Sequence, residues 1–460
     1  MPKPQDVEES ESATLVADFA VEMISLPLPS ESKLYRRRFV GLAQIVLLNV
    51  VVSWNWICFA PVSNYAAEFL GTSESDINWF SIAVLFAFVP TSILATIALA
   101  RLGSKGSILV CCGLLLIGSW VKYAGMTTRS FTVVLIGQIF IGFSQPFILN
   151  APTSFSALWF DSKSRTTATA IGTLANPLGA ALGQVITPLW ATGPDQLSDT
   201  VLYINIVATA SCLPALFIPS RPVLPPELQT FDNQPTQSLW DDFVVLVTTL
   251  EFYLILVPFS CFVGFFNSFS TLLNQILSPY GFTELQSGIA GALLIGVGLI
   301  TAAISTPLVD RYRFHLGCIR ICIPILAAAY LSFYWAPPSE SIELIYIICG
   351  IVGGASFALV PLILEFIVEI FHPVHPSLAP SICWSGGQLM GGTLTIVMNV
   401  LKEDRDANPP NRMQNSLLLL GILGFTVAPL PLSLGLFGRN HKVKMRRTEQ
   451  HHEHNSIDMG

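Results

Sequence analysis

Apolar residues in this chain come in long unbroken runs. From Phe39 onward, stretches of about 20 or more predominantly apolar residues recur, each long enough as a helix to cross a hydrocarbon core of roughly 30 Å. The runs predict helices over 39–66, 76–100, 106–126, 131–158, 165–193 and 200–218, then 246–277, 286–309, 316–335, 342–370, 378–401 and 414–438. Polar residues collect between the runs and at the two ends. One interior polar stretch is long: the proline-rich segment beginning at Pro219, which separates six runs from six. The expected organisation is therefore a disordered cytosolic tail over 1–38, a six-helix bundle over 39–218, a cytosolic linker over 219–245, a second bundle over 246–438 and a cytosolic tail over 439–460.

Composition agrees with that pattern. Of 460 residues 52% are hydrophobic and only 12% are charged, against roughly 25% charged in soluble domains, and the mean hydropathy is +0.61. The net charge of −7 says little about a partner, because much of the acid sits in the N-terminal tail and loops. The nine cysteines all fall inside apolar runs, so neither a disulfide framework nor a zinc spacing is read from them. The first thirty residues lack a basic stretch followed by an apolar core, so no cleavable signal peptide is expected there.

Sidedness follows from the cations, which are retained in cytosolic loops. With a cytosolic N-terminus, eighteen Lys and Arg fall on the inner side and five on the outer, the five being Lys122, Arg129, Lys402, Arg405 and Arg412. That bias agrees with an even number of spans. The halves also echo each other. The second run exits through Ala98-Leu99-Ala100-Arg101-Leu102-Gly103 and the eighth through Pro307-Leu308-Val309-Asp310-Arg311-Tyr312, each with a basic residue at the same point of a short turn. Ordinary charge flanking explains either turn equally well; together they point to a repeat-built transporter.

The Asp310-Arg311 turn resembles a degenerate form of the loop motif found between spans 2 and 3, and again between spans 8 and 9, of the major facilitator superfamily. Longer strings sharpen the likeness. They are Gly137-Gln138, Gln145-Pro146-Phe147-Ile148-Leu149, Trp159-Phe160, Asn176-Pro177-Leu178-Gly179, Ser270-Thr271-Leu272-Leu273-Asn274-Gln275 and Leu364-Glu365-Phe366-Ile367-Val368-Glu369. In this order and spacing they resemble the feline leukemia virus subgroup C receptor family, whose members carry haem, choline or related small organics. The resemblance covers Phe39 to about Phe437. It implies an all-α major facilitator fold, twelve transmembrane helices in two six-helix bundles around a central cavity, working by alternating access.

Candidate site residues come from the residues and from the resemblance. Trp54-Asn55-Trp56 lies deep in the first run, too far in for an interfacial belt, so cavity lining is the favoured reading for Trp56 and a weaker one for Trp54 and Asn55. In choline-carrying relatives the matching tryptophan belongs to an aromatic cage, which attracts a quaternary ammonium through the ring quadrupole. The resemblance places Asn267 where those relatives have the cage tyrosine and Pro177 where they have a glutamine, while the second glutamine is kept as Gln388. One aromatic and one amide are thus lost, so a changed cargo is expected: a small organic solute, larger or more neutral than choline, with efflux one direction of movement. Haem, choline or ethanolamine remains the alternative. Buried amides elsewhere, Gln138, Gln145, Asn150, Asn176, Gln184, Asn274 and Gln275, are read as interhelical hydrogen bonds.

No Asp, Glu, Lys or Arg is placed near the middle of any run, which favours a facilitator or exchanger over a proton-coupled carrier. Glu365 could pair with loop cations as a gate together with Asp310 and Arg311; an interfacial anchor is the equal alternative. His372, His375 and the tract His451, His452 and His454 read as solvated rather than metal-binding. No catalytic residue, metal or cofactor is expected. No membrane-protease, acyltransferase or nucleotide-binding signature is found, so the chain is read as not an enzyme. The expected partners are a small organic substrate and the bilayer, with no nucleic acid and a monomeric state. The plasma membrane is the first choice of location, and a vacuolar or other acidic organelle membrane the second.

Overall fold

A backbone in lipid must satisfy its own hydrogen bonds, so long apolar runs have little choice but to be helical. The computed structural model describes residues 36–160, 162–218, 239–312, 315–371, 374, 378–403 and 406–434, and among them there is no strand. Among the described residues nine helical segments are long and apolar enough to cross a membrane: Arg37–Leu70 (span 1), Glu74–Leu99 (span 2), Arg101–Thr127 (span 3), Phe131–Ser156 (span 4), Pro194–Phe217 (span 6), Leu250–Tyr280 (span 7), Glu284–Val309 (span 8), Ile342–Ile370 (span 10) and Gln414–Leu432 (span 12). The other three predicted runs are also helices, Ser162–Trp190 (span 5), His315–Ser332 (span 9) and Leu378–Val400 (span 11). Span 9 is shorter. Spans 5 and 11 are diluted by Gly, Ser, Thr, Asn and Gln, which lowers their hydropathy where those small and polar groups meet other helices instead of lipid.

Two breaks matter. Span 1 is helical from Arg37 to Ile57, turns through a 3-10 segment over Ala60–Val62 and resumes at Ser63–Leu70. Pro61 explains the stop, since its ring nitrogen has no hydrogen to give the carbonyl four residues back. Spans 2 and 3 join through Gly103, whose φ of 69° belongs to a region L side chains avoid.

Close helix crossings repeat between the halves. A Cβ on Gly142 of span 4 would lie 2.8 Å from the Val84 backbone of span 2, and one on Gly353 of span 10 would lie 1.7 Å from the Leu294 carbonyl of span 8. Similarly, Gly179 of span 5 sits against Val50 of span 1, and Gly391 of span 11 against Asn267 of span 7. Helix pairs 2–4 and 1–5 thus recur as 8–10 and 7–11, as a repeat-built transporter requires.

One charge departs from the expectation. Lys122, counted above among the outer-side loop cations, is fully buried within span 3. Its Nζ donates to Asn55 Oδ1 at 2.6 Å. Span 3 runs five residues past Lys122 before it ends, and the side chain turns inward against span 1. The premise that the spans hold no deep charge is corrected accordingly. The tails, most of the linker, His372, His375 and the C-terminal histidines lie outside the described residues.

A candidate solute cavity between the two halves

A cavity lies between the halves. Its volume is about 220 Å³, and spans 1, 4, 5, 7, 9, 10 and 11 contribute to its wall. Span 1 supplies Ser53 and Trp56; span 4, Gln145 and Leu149; span 5, Thr173, Asn176 and Pro177; span 7, Phe259, Phe262, Phe266 and Asn267; span 10, Phe357 and Leu364; span 11, Trp384 and Gln388. Among the described residues, Asp, Glu, Lys, Arg and His are all missing from this wall. It is a mostly apolar cavity with a few convergent amides, the usual chemistry of a small-molecule site.

Four candidates meet there. Trp56, Pro177, Asn267 and Gln388 share the cavity wall, and Asn267 Nδ2 donates to Gln388 Oε1 at 3.0 Å. The Trp56 indole nitrogen, 4% exposed as a residue, has no hydrogen-bond partner. Gln145 Oε1, Ser53 Oγ and Asn176 Nδ2 are likewise unsatisfied. Buried polar atoms are rarely left that way, so the wall offers both donors and acceptors to whatever enters.

Trp54 and Asn55 do not line it. Successive residues on a helix point about 100° apart, so only one of the three can face the cavity. Trp54 turns to span 5, where its Nε1 donates to Thr187 Oγ1 at 3.3 Å and its ring packs on Trp190. Asn55 turns to span 3 and Lys122.

Two features went unread in the sequence. Gln145 and Asn176 were assigned to interhelical bonding, yet both face the cavity. Rings other than Trp56 also surround it, with Phe259 edge-on to Trp384 at 5.8 Å and Phe266 edge-on to Phe357 at 5.4 Å. A signal existed: Phe259, Phe262, Phe266 and Asn267 fall at helical spacing on one face of span 7. Other amides do join helices. Gln184 donates to the Ser270 carbonyl at 3.1 Å, and Gln138 to that of Asn55 at 3.4 Å.

The cavity is shut on the side that the cation bias assigns to the exterior. There Glu284 of span 8 accepts from Asn64 Nδ2 and from Tyr65 Oη of span 1. Gln275 of span 7 and Asn78 of span 2 bond at 2.7 Å, Ser75 bonds Asn399 of span 11 at 3.0 Å, and Lys402 pairs with Glu74 at 3.2 Å. Lining residues such as Leu149, Leu364 and Trp384 lie toward the opposite ends of their helices, while Trp56 and Asn267 lie near mid-helix. At the end of the molecule opposite that seal, Glu365 is exposed, and the backbones of Asp310 and Arg311 form the end of helix Glu284–Tyr312.

The sequence profile of the Major Facilitator Superfamily matches residues 45–395. The chain belongs to this superfamily. Among curated relatives it is 27% identical over 375 residues to Solute carrier family 49 member A3 of Danio rerio, covering 80% of this chain and 79% of that one. It is 28% identical over 411 residues to the Choline/ethanolamine transporter FLVCR1 of Felis catus, covering 86% and 73%. The resemblance to the feline leukemia virus receptor family read from the sequence is thereby matched. Solved folds agree. A bacterial homologue of the human lysosomal transporter Spinster superposes with a TM-score of 0.66 at 14% identity, covering 86% of this chain and 96% of that one. A D-xylose-proton symporter gives 0.63 at 14%, covering 85% and 97%. This member of the superfamily is an integral multi-pass membrane protein and a secondary transporter of small organic solutes, working by alternating access.

Proposed function

We propose that the cargo is a small uncharged organic solute, held between the Trp56 indole and the Asn267–Gln388 amide pair. The observation that carries this reading is a cavity wall with unsatisfied donors and acceptors and no charged side chain. An anion would find no cation there. Its volume of about 220 Å³ falls below the roughly 300–1,000 Å³ of drug-sized sites, which favours a small solute over a large one. Haem gains no support, because among the described residues the wall holds no His, Cys, Met or Tyr, the side chains that ligate its iron.

Choline or ethanolamine, named for the relatives, is the second reading. The rings of Phe259, Phe262, Phe266, Phe357 and Trp384 favour it, since they partly replace the aromatic lost at Asn267. The halves over 39–218 and 246–438 would rock about the cavity, with Glu365 and the Asp310-Arg311 turn closing the cytosolic side. The proposed unit is a monomer in the plasma membrane, with an acidic organelle second and efflux as one direction.

The test uses purified protein in liposomes. Labelled choline is expected at background. A neutral metabolite found by thermal stabilisation, which mass action links to binding, is expected to accumulate saturably and to lose its effect in Trp56→Ala and in Gln388→Ala. Saturable choline uptake abolished by Trp56→Ala would establish the second reading instead. Normal transport in both variants would refute the site.

A further inference from the structure

Lys122 is the one deeply buried side-chain cation among the described residues. No carboxylate reaches it. Its Nζ donates to Asn55 Oδ1 at 2.6 Å, lies 3.7 Å from Cys58 Sγ and sits 5.9 Å from the centre of the Phe59 ring. All three residues belong to one turn of span 1, the turn in which helix Arg37–Ile57 stops. That helix end presents the negative pole of its dipole and carbonyls with no amide to receive. Some are met by side chains: the Asn55 carbonyl accepts from Cys58 Sγ at 3.3 Å and from Gln138 Nε2 at 3.4 Å. Asn55 in turn anchors its amide on the Val51 carbonyl at 2.9 Å. A Cβ on Gly137 would lie 2.5 Å from the Lys122 backbone nitrogen, so spans 3 and 4 are pressed together there and the lysine stem is led straight to span 1.

Discontinuous membrane helices in transporters commonly place a cation at such a half-helix C-terminus. Here the cation is tethered. We propose that Lys122 is a positioning residue for transport: its ammonium acts as a fixed cation at the broken end of span 1 and sets the turn that aims Trp56 into the cavity. Asn55 is the link. It holds the ammonium on one side of the helix while its neighbour Trp56 lines the cavity on another.

The inference rests on Trp56 being a cavity residue, and the test keeps the two apart. In the full chain, purified in detergent, alkylation by N-ethylmaleimide is mapped by mass spectrometry at native Cys58 and, in a Trp56→Cys background, at position 56. Buried Cys111 and Cys349 report general unfolding. Lys122→Met keeps the length of the stem and removes the charge. Alkylation of Cys58 is expected to accelerate by roughly tenfold or more, as when a buried charge-assisted hydrogen bond is lost. Labelling at position 56 should slow, and the two control thiols should stay protected. With Lys122→Ala, added propylammonium should restore both rates and propanol should not.

Unchanged rates at Cys58 and position 56 in Lys122→Met would overturn the inference and leave the site reading standing. An unreactive position 56 with Lys122 intact would instead sink the site reading. Where the lysine variants do not fold, Asn55→Asp decides. A fixed ammonium tolerates a carboxylate there and Cys58 stays protected; rapid alkylation of Cys58 in that variant would overturn the proposal.

Discussion

The resemblance puts Asn267 where choline-carrying relatives have the cage tyrosine, and that expected departure can be reversed. A tyrosine at 267 would face Trp56 with a second ring, and a cation between two rings gains about 0.5–2 kcal/mol from the added one. Asn267→Tyr is therefore expected to tighten choline binding by roughly 2- to 30-fold, read by titrating choline in thermal-shift or uptake measurements. Gln388→Ala should weaken the native cargo more than choline, because it removes an amide and leaves Asn267 Nδ2 without the acceptor it now has at 3.0 Å. At this scale the sequence was partly legible. Trp56 could be singled out because an indole deep in an apolar run is unusual, but its neighbours Trp54 and Asn55 share that rarity and face other helices. Only the rotation of span 1 about its own axis separates them. Lys122 was misplaced for a related reason: five residues from a helix end, a lysine in a sequence looks like a loop cation.

Helix contacts carry the next set of consequences. Gly179 lets span 5 touch span 1, and a Cβ there would stand 2.1 Å from the Val50 carbonyl. Gly353 makes the corresponding kind of contact between spans 10 and 8. Backbone cannot yield as a flexible side chain can, so Gly179→Ala and Gly353→Ala should each cost about 1–3 kcal/mol, as overpacking does. The check is a lowered unfolding temperature of the purified protein, against Gly113→Ala as a control with no atom within 4 Å of the added carbon. Helices themselves were highly legible, since hydrophobic run length alone reports them. Spans 5 and 11 show why hydropathy understates some of them: their glycines and amides serve crossings and the cavity, and a polar-looking helix of that kind lies between others. The turn at Pro61 was present in the sequence too, but a proline in an apolar run signals only a break, and its coincidence with Lys122 needs the packed structure.

For the molecule as a whole, the outer seal sets which face the empty carrier prefers. It is a set of hydrogen bonds and one ion pair across the halves, each worth little alone: interhelical bonds about 0.6–2 kcal/mol, a partly exposed ion pair about 0–1 kcal/mol. Glu284 receives two of the bonds. Glu284→Ala is thus expected to move population toward the outward-open form by up to about tenfold, seen as faster reaction of an Asn274→Cys thiol with a membrane-impermeant reagent added outside. Unchanged reactivity would show that other contacts hold the seal. The uncharged wall of the cavity also bears on energetics. A potential of 100 mV acts on one elementary charge crossing the full membrane with about 2.3 kcal/mol, yet a cavity without ionised walls adds no wall charge for that field to move as the unloaded protein resets. Voltage should then act through the wall of the cavity only to the extent that the cargo itself is ionic. An uncharged metabolite carried without a coupled ion would equalise between compartments, leaving metabolism on either side to decide which way the net flow runs.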